Sequence, residues 1–248
     1  MIPRLTQITQ LLHTAAKEKH FNASLPLTIK VLAKLKGDLY LLQIGSQKIE
    51  TKSHKELLIG GRYWGEMGKS SLGHIALRNL VMQPQILQSF QHSPLHFSID
   101  DLKSLFSLEE QTEESNIFED FKDFILQKLA SASSKNEFLF LSNMLLALKS
   151  GVLNLIVGEK ENILQVKKIA TNKVRFTAIM PVLGMIEGEI THQNQDNILD
   201  IKVLYESTKE ILEKNLEDIR GFKVGVIRLD QNIKPMYEFK EQLLDIKG

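Results

Sequence analysis

The sequence predicts an α+β protein. It reads as an N-terminal helix with a small antiparallel, barrel-like sheet, a helical middle, and a C-terminal mixed β-sheet carrying one packed amphipathic helix. Three observations predict this class. Hydrophobicity alternates with period two from Leu27 onward and again after Gly151. Between those regions, apolar residues recur every three or four positions, which is the period of a helix. The changes of period fall at Gly, Asn, Asp and Ser residues, which favour turns. The resulting division is 1–97, an N-terminal helix and small barrel-like domain, 98–150, a helical middle segment, and 151–248, a C-terminal α+β domain.

Residues 3–18 place Leu5, Ile8, Leu11, Leu12 and Ala15 on one helical face. The segment Phe21–Pro26 breaks that period. Leu27, Ile29 and Val31 then alternate with polar residues, Gly37-Asp38 turns, and Leu39–Ile44 forms a second strand. Gly45-Ser46 turns into a third strand over 47–53, and Gly60-Gly61 marks another turn or bulge. Residues 72–92 read as a helix to about Val81 and a second helix after Pro84. The stretch from Ser98 opens a further helix, with Ser98 or Asp100 as its N-cap.

An acidic loop, "LEEQTEES", leads to a helix whose stripe is Ile117, Phe118, Phe121, Phe124, Ile125 and Leu129. The next helix, Phe138–Leu148, ends at Gly151. Five strands follow: "VLNLIVG", "NILQVKKI", "KVRFTAIM", "MIEGEITH" and "NILDIKVLY". In "ESTKEILEKNLEDIRG", Ser207 and Glu210 have the spacing of a capping box, and Ile211, Leu212, Leu216 and Ile219 form the apolar stripe. "FKVGVIRL" reads as a last strand and "MYEFKEQLLDIKG" as a short terminal helix.

Net charge is +1, so the molecule as a whole carries no field that steers it to nucleic acid or membrane. The charge is uneven, however. Residues 1–99 hold 12 Lys/Arg against 5 Asp/Glu, net +7, whereas residues 100–125 hold 2 against 9, net −7. Such runs are either solvated faces or docking surfaces for an opposite charge. No cysteine is present, which excludes disulfides, thiolate catalysis and cysteine metal ligation. No apolar run has the length of a membrane span or a secretory core, and the expected location is the cytoplasm.

Gly68-Lys69-Ser70 ends like a phosphate-binding loop, but the position five before Gly68 holds Tyr63 where that loop needs glycine. The stretch is expected to be a turn after a strand. His92 and His96 share a helical spacing that Pro94 interrupts, and no carboxylate completes a metal set. Glu187 and Glu189, two apart on a strand, share a face and read as its wet side. No catalytic residue, cofactor or metal ligand is expected, and an enzyme with no recognisable motif is the third reading, which a deep pocket with convergent polar groups would revive. The basic N-terminal strands admit a nucleic-acid-binding barrel, with a groove lined by Arg62, Lys69 and Trp64. The scarcity of aromatics among the basic residues weighs against it.

One resemblance narrows the reading. "MPVLGMIEGEI", "NILDIKVL", "STKEILEKNLEDIRG" and "FKVGVIRL", within residues 173–233, resemble the C-terminal core of the flagellar hook-length control protein family. Pro181, Leu183 and Gly184 match its turn, and Leu212 and Leu216 match its helix. The stretch covers about a quarter of the chain, and the long Pro/Gln/Ser-rich ruler segment of that family has no counterpart here. The resemblance implies a non-catalytic protein-interaction factor in flagellar assembly. Its partner would be a flagellar export, chaperone or hook component. The candidate contact surfaces are the stripe Phe118, Phe121 and Phe124, if exposed, and the acidic residues Glu109, Glu110, Glu113 and Glu114.

Overall fold

A computed structural model describes residues 25–53, 55–69, 75–89, 117–157 and 162–240. The predicted helix over 3–18, the one opening at Ser98 and the acidic loop Glu109–Glu114 lie outside the described residues, as do all the histidines except His192.

The described N-terminal part is a five-stranded antiparallel sheet with the order β3-β2-β1-β4-β5. Its strands are β1 (Leu27–Lys34), β2 (Leu39–Ile44), β3 (Gln47–Lys52), β4 (Arg62–Lys69) and β5 (Ile75–Met82). The sheet is open, with β3 and β5 at opposite edges, so the expected barrel does not close among the described residues. Gly68 and Lys69 lie within β4 rather than in a turn after it, and the Gly-Lys stretch pairs with Ile75 and Ala76.

The expected helix to Val81 is instead β5, and a bulge explains the difference. Trp64 pairs with Val81 and Glu66 with Arg78, so Gly65 alone faces both Asn79 and Leu80. Asn79 takes the extra residue in a left-handed conformation, φ 52°. The bulge puts Leu77 and Leu80, three apart, against the same small core. Read along the sequence, that spacing imitates a helix. Only glycine fits opposite, because a Cβ on Gly65 would stand 2.6 Å from Leu80 Cδ2.

After Pro84 the short helix α1 (Gln85–Ser89) forms as expected. The two longer helices are α2 (Ile117–Ala130) and α3 (Lys135–Lys149), which pack on each other. Ser134 caps α3, its hydroxyl accepting from the Glu137 N–H at 3.1 Å. Glu137 reaches back to the Ser133 N–H at 2.9 Å and to its hydroxyl at 2.8 Å. Together these satisfy donors that a helix start leaves open.

The second sheet has six strands in the order β11-β10-β9-β8-β7-β6. They are β6 (Leu153–Val157), β7 (Asn162–Ala170), β8 (Lys173–Met180), β9 (Gly184–Gln193), β10 (Asp196–Val203) and β11 (Lys223–Leu229). All neighbours are antiparallel except β10 and β11, which are parallel. The crossover between them carries α4 (Glu206–Lys214), as parallel neighbours require a long connection.

Three expectations change here. The N-cap of α4 is Tyr205, without a side-chain cap, and Ser207 sits inside the first turn with a buried, unpartnered hydroxyl. The chain is already turning at Tyr205, whose ring is buried, so the cap lies two residues before the capping-box position. Leu216 is 39% exposed, because the helix ends at Lys214 and a 3-10 turn, Leu216–Asp218, swings it off the stripe that Leu212 keeps. Met236–Lys240 forms no helix, with bends at Met236 and Tyr237, and the rest of the expected terminal helix lies outside the described residues.

One large core joins this sheet to α1, α2, α3 and Trp64, and a smaller core lies on the first sheet around Ile29, Val31, Tyr40 and Leu42.

Candidate functional site

The turn Pro181–Leu183 between β8 and β9 joins the two sheets. Trp64 on β4 is fully buried, and its indole N–H donates to the Pro181 carbonyl at 3.0 Å. The Thr28 hydroxyl donates to the same carbonyl at 3.3 Å. Thr208 on α4 donates to the Leu183 carbonyl at 2.9 Å. Gly184 has φ +79°, and a Cβ there would stand 2.9 Å from the Tyr205 ring. The Tyr205 hydroxyl donates to the carbonyl of Asn79, the bulge residue of β5, at 3.2 Å. Burial, and next the Glu66 carboxylate, push the Tyr205 phenol far above its ordinary range. Pro181, Leu183 and Gly184 thus form the mechanical joint of the molecule. Trp64, held at that joint, is withdrawn from the basic groove in which the nucleic-acid reading placed it.

A polar row crosses all six strands of the second sheet. Cross-strand partners run Asn154, Gln165, Thr177, Glu187, Lys202 and Arg228, one from each strand. Directly opposed residues share a face, so these six line one side of the sheet. The row is buried at β6 and β7, where Asn154 and Gln165 are 3% and 0% exposed, and it opens to solvent toward β11.

At the open end, Lys202 holds Glu187 at 2.7 Å and lies 3.7 Å from Asp230. One register along, Glu189 receives Lys173 at 2.7 Å and Arg175 at 3.0 Å. These two cations, Lys173 first, hold the Glu189 carboxyl below its usual range. Arg175, Glu187, Glu189, Asp200, Lys202 and Arg228 surround a shallow depression of about 230 Å³. Glu187 and Glu189 do share the wet face, each answered by cations, in a surface of mixed charge.

At the buried end the row is covered by the segment Met236–Lys240. Gln165 donates to the Tyr237 carbonyl at 2.8 Å and accepts from the Met236 N–H at 2.7 Å and the Tyr237 N–H at 3.3 Å. Its remaining donor goes to Asn154 Oδ1 at 2.8 Å. Asn143 on α3 repeats the device three residues on. It accepts from the Lys240 N–H at 2.9 Å and donates to the Lys240 carbonyl at 3.0 Å. Between the two clamps the Phe239 ring is buried against Phe140, centroids 5.4 Å apart. Single-residue patterns do not reveal this arrangement. The available signal was a pair of amides, Asn143 and Gln165, each set within a largely apolar run.

Phe121 is buried in the large core, and Phe118 and Phe124 are half-buried against it, so the stripe packs inward. Among the described residues no cluster of His, Asp or Glu has metal-binding geometry, and no helix is long and apolar enough to cross a membrane. No family model, curated protein or solved structure matches the chain.

Proposed function

We propose that this chain is a non-catalytic protein-interaction factor of flagellar assembly or export, acting in the cytoplasm. What supports the reading is the order of elements in the stretch that resembles the hook-length control core. Strand β8, the turn at Pro181, strands β9 and β10, helix α4 and strand β11 follow one another there. That stretch also carries the solvent-facing end of the polar row. A face of paired, alternating charges around a shallow depression suits a protein surface of complementary charge, which gains specificity from such patterns. The partner is a flagellar export, chaperone or hook component, and the barrel-derived nucleic-acid alternative has lost Trp64 as a stacking platform.

Affinity purification of the tagged chain from a flagellated native cell, with nuclease, at low and high salt, tests this. Flagellar components retained after nuclease treatment are the expected result. Recovery of nucleic acid alone, lost as salt rises, would overturn it.

A further inference from the structure

The segment Met236–Lys240 is bound as a peptide ligand is bound. Two side chains that are at least nine-tenths buried, Gln165 and Asn143, spend their amides on its backbone N–H and carbonyl groups. Such contacts read the main chain and are indifferent to its side chains. Selectivity is left to the aromatic side chains, chiefly the buried Phe239, seated on Phe140, with the half-buried Tyr237 beside it at 6.1 Å between centroids. The Glu238 carboxylate adds one contact outside the cleft, accepting from the Gln85 N–H at 2.7 Å. The segment belongs to no sheet, so no ladder holds it.

The geometry points to a peptide-binding cleft between α3 and β7, filled in cis by the chain's own strap. Its ligand in trans is a partner segment with an aromatic residue between the two clamped peptide units. This rests on the reading that the chain works by binding protein, and it names the chemistry of the partner. Both amides are buried, so an emptied cleft would leave Gln165 Oε1 and Asn143 Oδ1 without the backbone N–H groups they accept from. It therefore favours exchange of one peptide for another over standing open. The strap competes as an intramolecular ligand, at an effective concentration in the millimolar range.

The test uses the purified full-length chain and a fluorescein-labelled synthetic peptide of the sequence QNIKPMYEFK, that of Gln231–Lys240. Fluorescence anisotropy is measured with the wild type, with Phe239→Ala, and with Phe239→Ala combined with Gln165→Ala. The expected result is weak binding to wild type and at least tenfold tighter binding to Phe239→Ala, whose own strap has lost its anchor. The tightening disappears in the double variant, and a peptide with alanine in place of its phenylalanine does not bind.

A folded Phe239→Ala chain that binds the peptide no better than wild type overturns the proposal. If that variant does not fold, hydrogen exchange of the wild type decides. The N–H groups of Met236, Tyr237 and Lys240 are expected to exchange well before the β7–β8 ladder. Exchange only together with that ladder means the strap never leaves, and the proposal falls. A chain that takes the peptide yet retains no flagellar component in the native cell would sink the assembly reading alone.

Discussion

Single residues show where this chain has no slack. Gly188 on β9 lies directly opposite Phe176 on β8, and a Cβ there would stand 2.1 Å from the ring. Phe176 is 1% exposed and has nowhere to move. Gly188→Ala is therefore expected to cost about 1–3 kcal/mol, the usual penalty of overpacking. Urea unfolding measures it, and adding Phe176→Leu should recover part of the loss, since the two changes meet at one contact. Glu189 makes a second case. Its folded carboxyl sits below the unfolded value, because Lys173 and Arg175 favour the charged form. A depressed acid contributes stability above its unfolded pKa and loses it as pH falls through the folded one. Wild type should exceed Glu189→Gln in stability near neutral pH, and thermal melts at decreasing pH should show the gap closing below about pH 4. A gap that widened in acid would refute the assignment.

At the scale of elements, the ends and irregularities of helices and strands carry the information. Helix α3 begins where Ser134 accepts the Glu137 N–H. Ser134→Ala should lower stability by about 1 kcal/mol, the typical worth of an N-cap, and Ser134→Asp should restore most of it. Equal loss in both variants would mean the hydroxyl is not acting as a cap. Helix α4 has no such side-chain cap. Its start is set by packing of Tyr205 under Gly184, which a local pattern search over Ser207 and Glu210 misplaces. In β5, one bulge moved the apolar residues out of strict alternation, and the phase error read as a helix. Strand β11, although its register against β10 shifts between Val224 and Ile227, is legible in sequence because β-branched residues follow the turn at Gly221.

For the whole molecule, the joint at Pro181 decides whether the two sheets unfold together. Trp64 is the only tryptophan, so its fluorescence reports on that joint alone. Its emission is expected to be blue-shifted in the native state and to change in the same denaturant transition as the far-ultraviolet circular dichroism. An earlier fluorescence transition would show that the first sheet opens separately. Trp64→Phe keeps most of the apolar ring but removes the donor to Pro181. It should cost about 2 kcal/mol, from the lost hydrogen bond and the volume left behind. The core that receives Trp64 also receives Ile86 and Leu87, Phe121 and Ile125, and the strands after Gly151. Segments far apart in sequence therefore share one burial.

The sequence by itself determined the class, the strands β1 to β3 and β6 to β11, the two long helices and the absence of cysteine chemistry. Each of these depends on a period, a turn residue or a composition, which neighbouring residues in the chain express. The shared wet face of Glu187 and Glu189 was legible for the same reason, since alternation alone places them there. Only the tertiary structure decided that the first sheet stays open and that the indole of Trp64 serves Pro181. It alone showed that Phe121 faces inward and that Gln165 and Asn143 clamp the strap. These contacts join residues 71 to 117 positions apart. No local pattern encodes them, because a hydrogen-bond partner is chosen by where the folded chain brings it. The amides of Asn143 and Gln165, costly to bury unless paired, were the marks in the sequence of contacts that only folding could supply.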